Sequence, residues 1–162
     1  MRVTLIRHGD AGDDAPRDEE RALTRKGRAE ARRVGRALGR AGAHFGVVIS
    51  SPLVRAVQTA EITVAAIGYR GRVTVSDRLI PDAFPAGVIA LITALAADGK
   101  KSIALVAHEP ILSRAAAMLL QIARFPALRK GEAVRIRLPG GSDQAGAFRW
   151  RIDPESGRRR RR

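Results

Sequence analysis

The sequence contains no cysteine, which excludes disulfide bonds and metal sites built on thiolate ligands. Cysteine content therefore gives no indication of the cellular compartment. Aromatic residues are 4% of the chain, so its core must be built from Ala, Val, Leu and Ile. Long apolar runs are also missing. The longest uncharged stretch, residues 83–97, contains Pro85 and Gly87 and is too short to cross a membrane. We therefore expect a cytoplasmic protein with no secretory signal and no membrane partner.

Acidic residues are scarce beside basic ones, because 16 Asp and Glu accompany 30 Lys and Arg and leave a formal net charge of +14. Four of the basic residues are lysines, so 26 are arginines. Such an excess attracts phosphates, acidic proteins and nucleic acid. The chain has no recognisable nucleic-acid motif and no aromatic residues interleaved with its basic ones, so nucleic acid is not expected as its main partner.

The length of 162 residues predicts a single domain, which we place at 1–157. The arginine run 158–162 is predicted to be a disordered tail. Acidic residues are concentrated in the segment 10–20, which contains Pro and Gly and is predicted to be a loop. The sequence does not indicate a role for this acidic loop.

Apolar runs predict four short strands at residues 2–7, 47–50, 73–75 and 103–107. Helical spacing and helix-start residues predict helices from Thr24 to about 40, from Ser51 to 67, over 86–97 and over 110–122. Alternating segments at 134–138 and 147–152 predict a terminal hairpin. This order predicts an α/β fold, a three-layer αβα sandwich with a mostly parallel central sheet and a C-terminal hairpin.

Polar residues with strong chemistry follow three of the predicted strands. Arg7 and His8 end the first, Ser51 follows the second with Arg55 one helical turn later, and His108 follows the fourth. The carboxyl ends of parallel strands meet at one edge of a sheet, where ligands bind. We therefore expect two arginines and two histidines to converge there.

This set of residue types favours phosphoryl chemistry. Two guanidinium groups match a tetrahedral oxyanion, and helix-start amides add positive potential. A neutral imidazole can attack phosphorus, and a second imidazole can donate hydrogen bonds to the phosphoryl oxygens. With that much fixed positive charge, neither a metal ion nor another cofactor is expected.

Four motifs in this order resemble the histidine phosphatase (phosphoglycerate mutase-like) superfamily. They are "RHG" at 7–9, "LTRKG" at 23–27, "SPLVRAVQT" at 51–59 and "AHEP" at 107–110. The short length and the "RHGDA" opening resemble the small SixA-type branch, the phosphohistidine phosphatases. The resemblance covers residue 1 to about residue 122.

The resemblance implies a role for each matching residue. His8 is expected to be the nucleophile that carries a transient phosphohistidine. Arg7, Arg55 and His108 are expected to complete the catalytic set and to bind the phosphoryl group. Gly9 is expected to let the backbone turn tightly beside the bound phosphoryl group.

The sequence departs from the larger members of the superfamily because it offers no convincing proton donor for the leaving group. The candidate segment is "RLIPDAFP", in which Asp82 or Asp77 is the available carboxylic acid. An imidazole leaving group needs less acid catalysis than an alkoxide does. The preferred hypothesis is therefore removal of phosphate from phosphohistidine in a signalling protein.

The sequence leaves two alternatives open. The first is a phosphomonoesterase for a small ester such as a sugar phosphate or nucleotide, with Asp82 as proton donor. The second is a phosphate-binding module without catalysis. The expected partner is thus a phosphorylated protein or a small phosphate ester, and we expect a monomer.

Overall fold

The computed structural model describes residues 1–139 and 144–160. Its strands are β1 (Arg2–Arg7), β2 (Val47–Ser50), β3 (Val73–Val75), β4 (Ser102–Ala107), β5 (Ala133–Arg137), β6 (Ala147–Ile152) and β7 (Arg159–Arg160). Its α-helices are α1 (Arg25–Arg40), α2 (Val54–Ala66), α3 (Pro85–Ala97) and α4 (Ile111–Leu120). Short 3-10 helices lie at Asp18–Glu20 and Asp77–Leu79. In the ranges that the structure describes, no helix is long and apolar enough to pass through a membrane.

The strands form one sheet in the order β3-β2-β4-β1-β5-β6-β7. β1, β2, β3 and β4 run parallel to one another, whereas β5 is antiparallel to β1 and β6 is antiparallel to β5. The predicted mostly parallel sheet and C-terminal hairpin are therefore confirmed. This order places β1 next to β4, so the residues that follow these two strands are neighbours.

Helices cover both faces of the sheet. Side chains alternate along a strand, so Leu5 faces one side and Ile6 the other. The Leu5 side packs against α3 and α4, including Ile92 and Leu112. The Ile6 side packs against α1 and α2, through residues such as Leu38. The predicted three-layer arrangement is confirmed.

The helix starts agree with the sequence at Thr24 and differ at Ser51. Thr24 caps α1, because its Oγ1 accepts a hydrogen bond of 3.1 Å from the backbone N–H of Gly27. Helix α2 begins at Val54, later than the predicted start at Ser51, and the N-cap residue Leu53 provides no side-chain hydrogen bond. The hydroxyl of Ser51 lies 2.9 Å from His108 Nε2 and accepts a long hydrogen bond of 3.4 Å from the Leu53 backbone N–H.

The C-terminal segment also differs from its prediction. Instead of a disordered tail from Arg158, the structure has residues Arg159–Arg160 paired antiparallel with Arg151 and Ile152 of β6. The turn before them explains the pairing, because the Asp153 carboxylate accepts backbone N–H groups of the turn and Gly157 adopts a φ of 65°. The returning chain then satisfies backbone groups of β6. Residues 161–162 lie outside the described residues.

Candidate active site

His8 is the first residue after β1, and its side chain is buried at 8% exposure. Its backbone N–H donates to the Ala107 carbonyl at 3.0 Å, which ties the end of β1 to the end of β4. Its Nδ1 lies 2.7 Å from the Gly9 carbonyl oxygen. A carbonyl oxygen can only accept, so Nδ1 carries the hydrogen in the neutral ring. The lone pair of a neutral His8 ring is therefore on Nε2.

The environment of His8 keeps the ring neutral. Burial, with smaller contributions from the charges of Arg55 and Arg7, lowers the pKa of His8 from 6.5 to about 4, although the hydrogen bond to Gly9 acts in the opposite direction. Near neutral pH, His8 is thus a buried imidazole with an unprotonated nitrogen. This is the form of histidine that acts as a nucleophile.

His108 follows β4, and its ring centroid lies 5.0 Å from that of His8. The side chain is 2% exposed, and Nε2 lies 2.9 Å from Ser51 Oγ. Burial first, then the charge that His8 carries when protonated at low pH and the charge of Arg55, lower the pKa of His108 to about 3. Its Nδ1 is buried and has no hydrogen-bond partner in residues 1–139 and 144–160. His108 is therefore a second neutral ring beside His8.

The two arginines reach this pair from different elements. Arg7 ends β1, and its Nη1 donates to the Leu128 carbonyl at 2.7 Å. The Arg7 Nε is buried without a hydrogen-bond partner among the described residues. Arg55, in the first turn of α2, is 5% exposed, and its charge acts on both His8 and His108. The structure therefore brings all four predicted residues to one edge of the sheet.

Comparison with known proteins agrees with this geometry. The family model of the histidine phosphatase superfamily (branch 1) matches residues 3–81. Phosphohistidine phosphatase SixA of Escherichia coli (strain K12) is 28% identical over 158 residues, covering 95% of this chain and 94% of SixA. The solved structure of the protein histidine phosphatase SixA complexed with tungstate matches with a TM-score of 0.89, covering 95% of this chain and 97% of that one. The chain belongs to the histidine phosphatase superfamily.

It is accordingly a phosphatase of this superfamily, similar to the small SixA-type members that its motifs resemble. The fold is also shared more widely. A putative alpha-ribazole-5'-P phosphatase from Escherichia coli str. K-12 substr. MG1655 matches with a TM-score of 0.72 at 21% identity, covering 92% of this chain and 94% of that one. At this identity the match demonstrates a common fold.

Gly9 is required for packing, while its predicted role beside a bound phosphoryl group stays a prediction. A Cβ atom at this position would lie 2.7 Å from the Gly27 carbonyl oxygen, so the crowding comes from the start of α1. The Gly9 backbone N–H donates to Thr59 Oγ1 at 3.1 Å. In this histidine phosphatase, Gly9 therefore permits close packing of the loop after His8 against α1 and α2.

Asp82 is exposed, and the structure does not bring it into contact with the other predicted site residues. Within the described ranges it makes no hydrogen bond or ion pair with Arg7, His8, Arg55 or His108. The same ranges contain no group of three or more His, Cys, Asp or Glu side chains that could hold a metal ion. The cluster is built from guanidinium and imidazole groups, which suit an anion.

Asp18 contacts Arg55, and the sequence did not indicate this pairing. The Arg55 guanidinium donates from Nη1 to the Asp18 carbonyl oxygen at 2.6 Å and from Nη2 to Asp18 Oδ2 at 2.7 Å. Arg21 Nη1 donates to the other carboxylate oxygen at 3.0 Å. Hydrogen bonds from Arg55 and Arg21 lower the pKa of Asp18, so the phosphatase holds an ionised carboxylate on Arg55. A carboxyl group of this kind is poorly suited to donating a proton near neutral pH.

Asp10 and Lys130 form a second ion pair near the end of β1. Lys130 Nζ donates to Asp10 Oδ1 at 2.7 Å, and Thr24 Oγ1 donates to Asp10 Oδ2 at 2.9 Å. Asp10 therefore fastens the loop to the start of α1. The charge of Lys130 also contributes to lowering the pKa of His8, so this lysine adds to the positive potential of the site.

Proposed function

We propose that this phosphatase removes the phosphoryl group from phosphohistidine in a protein, through a phosphohistidine intermediate on His8 and without a metal ion. The observation that carries the proposal is the state of His8. Its Nδ1–H is committed to the Gly9 carbonyl at 2.7 Å, and its pKa is lowered to about 4, so Nε2 is unprotonated at neutral pH. Both features support attack by Nε2 on phosphorus.

The reaction has two displacements at phosphorus. His8 Nε2 forms a bond to phosphorus as the P–N bond of the substrate breaks, and the departing imidazole nitrogen takes a proton from solvent. Water then attacks the phosphoryl group, the P–Nε2 bond breaks, and inorganic phosphate leaves. The ring gains positive charge while it carries phosphorus, and the Gly9 carbonyl, hydrogen-bonded to Nδ1–H at 2.7 Å, stabilises that charge.

Arg7, Arg55 and His108 stabilise the phosphoryl oxygens. Arg7 Nε and His108 Nδ1 are buried polar atoms without a hydrogen-bond partner in the described protein, which supports assigning them to a bound anion. Arg55 uses two nitrogens on Asp18 and, with five N–H donors, keeps others for a phosphoryl oxygen. The two guanidinium groups supply the positive charge that a metal ion would otherwise provide, and His108 adds a neutral donor.

Ser51 supports one tautomer of His108. The Ser51 oxygen accepts a long hydrogen bond of 3.4 Å from the Leu53 backbone N–H, and among the described residues the acceptor within reach of its own hydrogen is His108 Nε2 at 2.9 Å. With Nε2 accepting, the hydrogen of the neutral His108 ring lies on Nδ1. Nδ1–H is then a donor for the phosphoryl group. We thus assign His108 the role of a neutral hydrogen-bond donor.

The substrate class rests on the leaving group. Asp18 is ionised and Asp82 is exposed without contact to the site, so neither supports protonation of an alkoxide. An imidazole leaving group can be protonated by solvent and needs no internal acid. The similarity to phosphohistidine phosphatase SixA supports the same choice. The alternative is a small-molecule phosphomonoesterase in which Asp82 donates a proton to the leaving group. It is kept for testing because a putative alpha-ribazole-5'-P phosphatase shares the fold.

The test compares rates on a phosphohistidine-carrying protein with rates on sugar phosphates and nucleotides. We expect the phosphohistidine protein to be the better substrate, and His8→Ala to abolish turnover. His44→Ala is the matched control, because His44 is exposed in a loop, and it should retain activity. Faster turnover of alkyl phosphates would instead establish the phosphomonoesterase. Phosphate binding without turnover would establish a non-catalytic module.

A further inference from the structure

The segment 128–132 holds the Arg7–His8 pair in place. The Leu128 carbonyl accepts from Arg7 Nη1 at 2.7 Å, and the Gly131 N–H donates to the His8 carbonyl at 2.8 Å. The Glu132 carbonyl accepts the Arg7 backbone N–H at 3.0 Å. This segment precedes β5, so it lies beside the end of β1 and sets where the Arg7 guanidinium can point.

Glu109 connects this segment to the end of β4. It follows His108 directly and is half-buried. Its Oε1 accepts the Leu128 backbone N–H at 2.9 Å, and its Oε2 accepts from Ser113 Oγ at 2.5 Å. Leu128 is therefore held at both of its backbone polar groups, the N–H by Glu109 and the carbonyl by Arg7. Its side chain is 1% exposed and anchors the segment in the core between the sheet, α3 and α4.

We propose that Glu109 is a positioning residue that orients Arg7 for phosphoryl binding through the backbone of Leu128. The proposal rests on the proposed function of Arg7. Arg7 has a long, flexible side chain, and one nitrogen fixed on the Leu128 carbonyl leaves Nε directed elsewhere. Without the Glu109 carboxylate, the Leu128 N–H loses its partner, and the segment shifts to recover one. The acceptor for Arg7 moves with it.

The experiment measures inorganic phosphate binding by calorimetry and kcat/KM on the phosphohistidine protein. Glu109→Ala should weaken both by about ten- to a hundredfold, because a displacement of about 1 Å at a binding group has effects of this size. Glu109→Gln retains an oxygen that can accept from Leu128 and should stay close to wild type. Ser113→Ala removes the other partner of Glu109, together with a contact of 3.1 Å to the Pro110 carbonyl, and leaves the bond from Leu128 to Glu109 in place. It is the matched control, with little expected change.

A double-mutant cycle separates positioning from general stability. If Glu109 acts through Arg7, then Glu109→Ala in an Arg7→Ala background should change kcat/KM by less than about twofold, because coupled residues are not additive. An equal loss in both backgrounds would overturn the proposal. If Glu109→Ala does not fold, Glu109→Asp can replace it in the same cycle. The shorter side chain of Asp draws the carboxylate away from the Leu128 N–H.

The outcomes also distinguish this inference from the proposed function. If wild type neither binds phosphate nor turns over phosphohistidine, and Arg7→Ala changes nothing, the proposed function fails. If Arg7→Ala is impaired while Glu109→Ala matches wild type, only the role of Glu109 fails. Loss in Glu109→Ala, recovery in Glu109→Gln and non-additivity with Arg7→Ala together support it.

Discussion

Asp18 and Arg55 form an ion pair with 2.7 Å between Oδ2 and Nη2, although they are 37 positions apart in the sequence. The Arg55 side chain is 6% exposed and that of Asp18 is 57% exposed, so the carboxylate reaches the arginine from the solvent side. The acidic loop 10–20 thus places the negative charge of Asp18 at a group that we assign to phosphate. The charge of Asp18 acts also on His108, whose pKa it raises against the larger lowering effects.

We predict that Asp18→Asn strengthens binding of inorganic phosphate. Asparagine keeps an oxygen for Arg55 Nη2, and the backbone carbonyl still holds Nη1, so the variant removes charge and preserves both contacts to Arg55. The amide nitrogen that replaces Oδ1 cannot accept from Arg21 Nη1, so that hydrogen bond is lost. A partly exposed charge pair is weak in water, so the expected gain is about two- to fivefold. Calorimetric titration with phosphate at low and high salt measures it. Weaker phosphate binding in Asp18→Asn would show that the carboxylate charge assists the site.

The contact between Asp18 and Arg55 also shows where sequence reasoning ends. The positions of Arg7, His8 and His108 were predictable because each directly follows an apolar strand, and parallel strands end at one edge. Asp18 is one of several acids in a loop, and its partner depends on the path of that loop over α2. Periodicity carries no information about such a path.

At Ser51, the sequence rule for helix starts is overridden by a contact with His108 from another part of the chain. Serine before proline is a typical helix start, and the sequence predicted a capping role. In the structure, Ser51 is fully buried and its Oγ is 2.9 Å from His108 Nε2. The pairing requires β2 and β4 to be neighbours, a fact about the sheet order that residues 50–52 do not contain.

We predict that Ser51→Ala lowers kcat/KM by about tenfold, because the variant leaves the buried Nε2 of His108 without a partner and frees the ring to change tautomer. The effect should be absent in a His108→Ala background, where the interaction is already lost. Steady-state kinetics of the single and double variants measure this. Undiminished activity in Ser51→Ala would show that Ser51 does not fix the tautomer of His108.

The ionisation of His8 gives a spectroscopic prediction. Burial and the neighbouring arginines lower its pKa to about 4, so the ring should stay neutral from pH 7 down to about pH 5 and protonate below that. Nuclear magnetic resonance of the ring nitrogens follows the titration directly. Arg55→Ala removes a nearby positive charge and should raise the pKa of His8. Titration of wild-type His8 near 6.5 would contradict the account of the site.

The same shifts predict that acid destabilises the fold. In the unfolded chain, His8 and His108 bind protons at about pH 6.5, whereas in the folded chain they do so at about 4 and about 3. Below pH 6.5 the unfolded state therefore binds more protons, and the free energy of unfolding falls as the pH falls. For His8 alone the loss between pH 6.5 and 4 is about 3 kcal/mol. Urea unfolding across this range should show a smaller loss for His8→Asn than for wild type.

The most direct test of the account is to trap the phosphorylated enzyme. The phosphatase is mixed with a protein carrying labelled phosphohistidine, quenched in alkali within a single turnover, and digested for mass spectrometry. We expect the label on Nε2 of His8 in wild type and none on His8→Ala, with His44→Ala labelled as wild type is. Turnover of the substrate with no label on His8, or undiminished turnover by His8→Ala, would contradict the central claim.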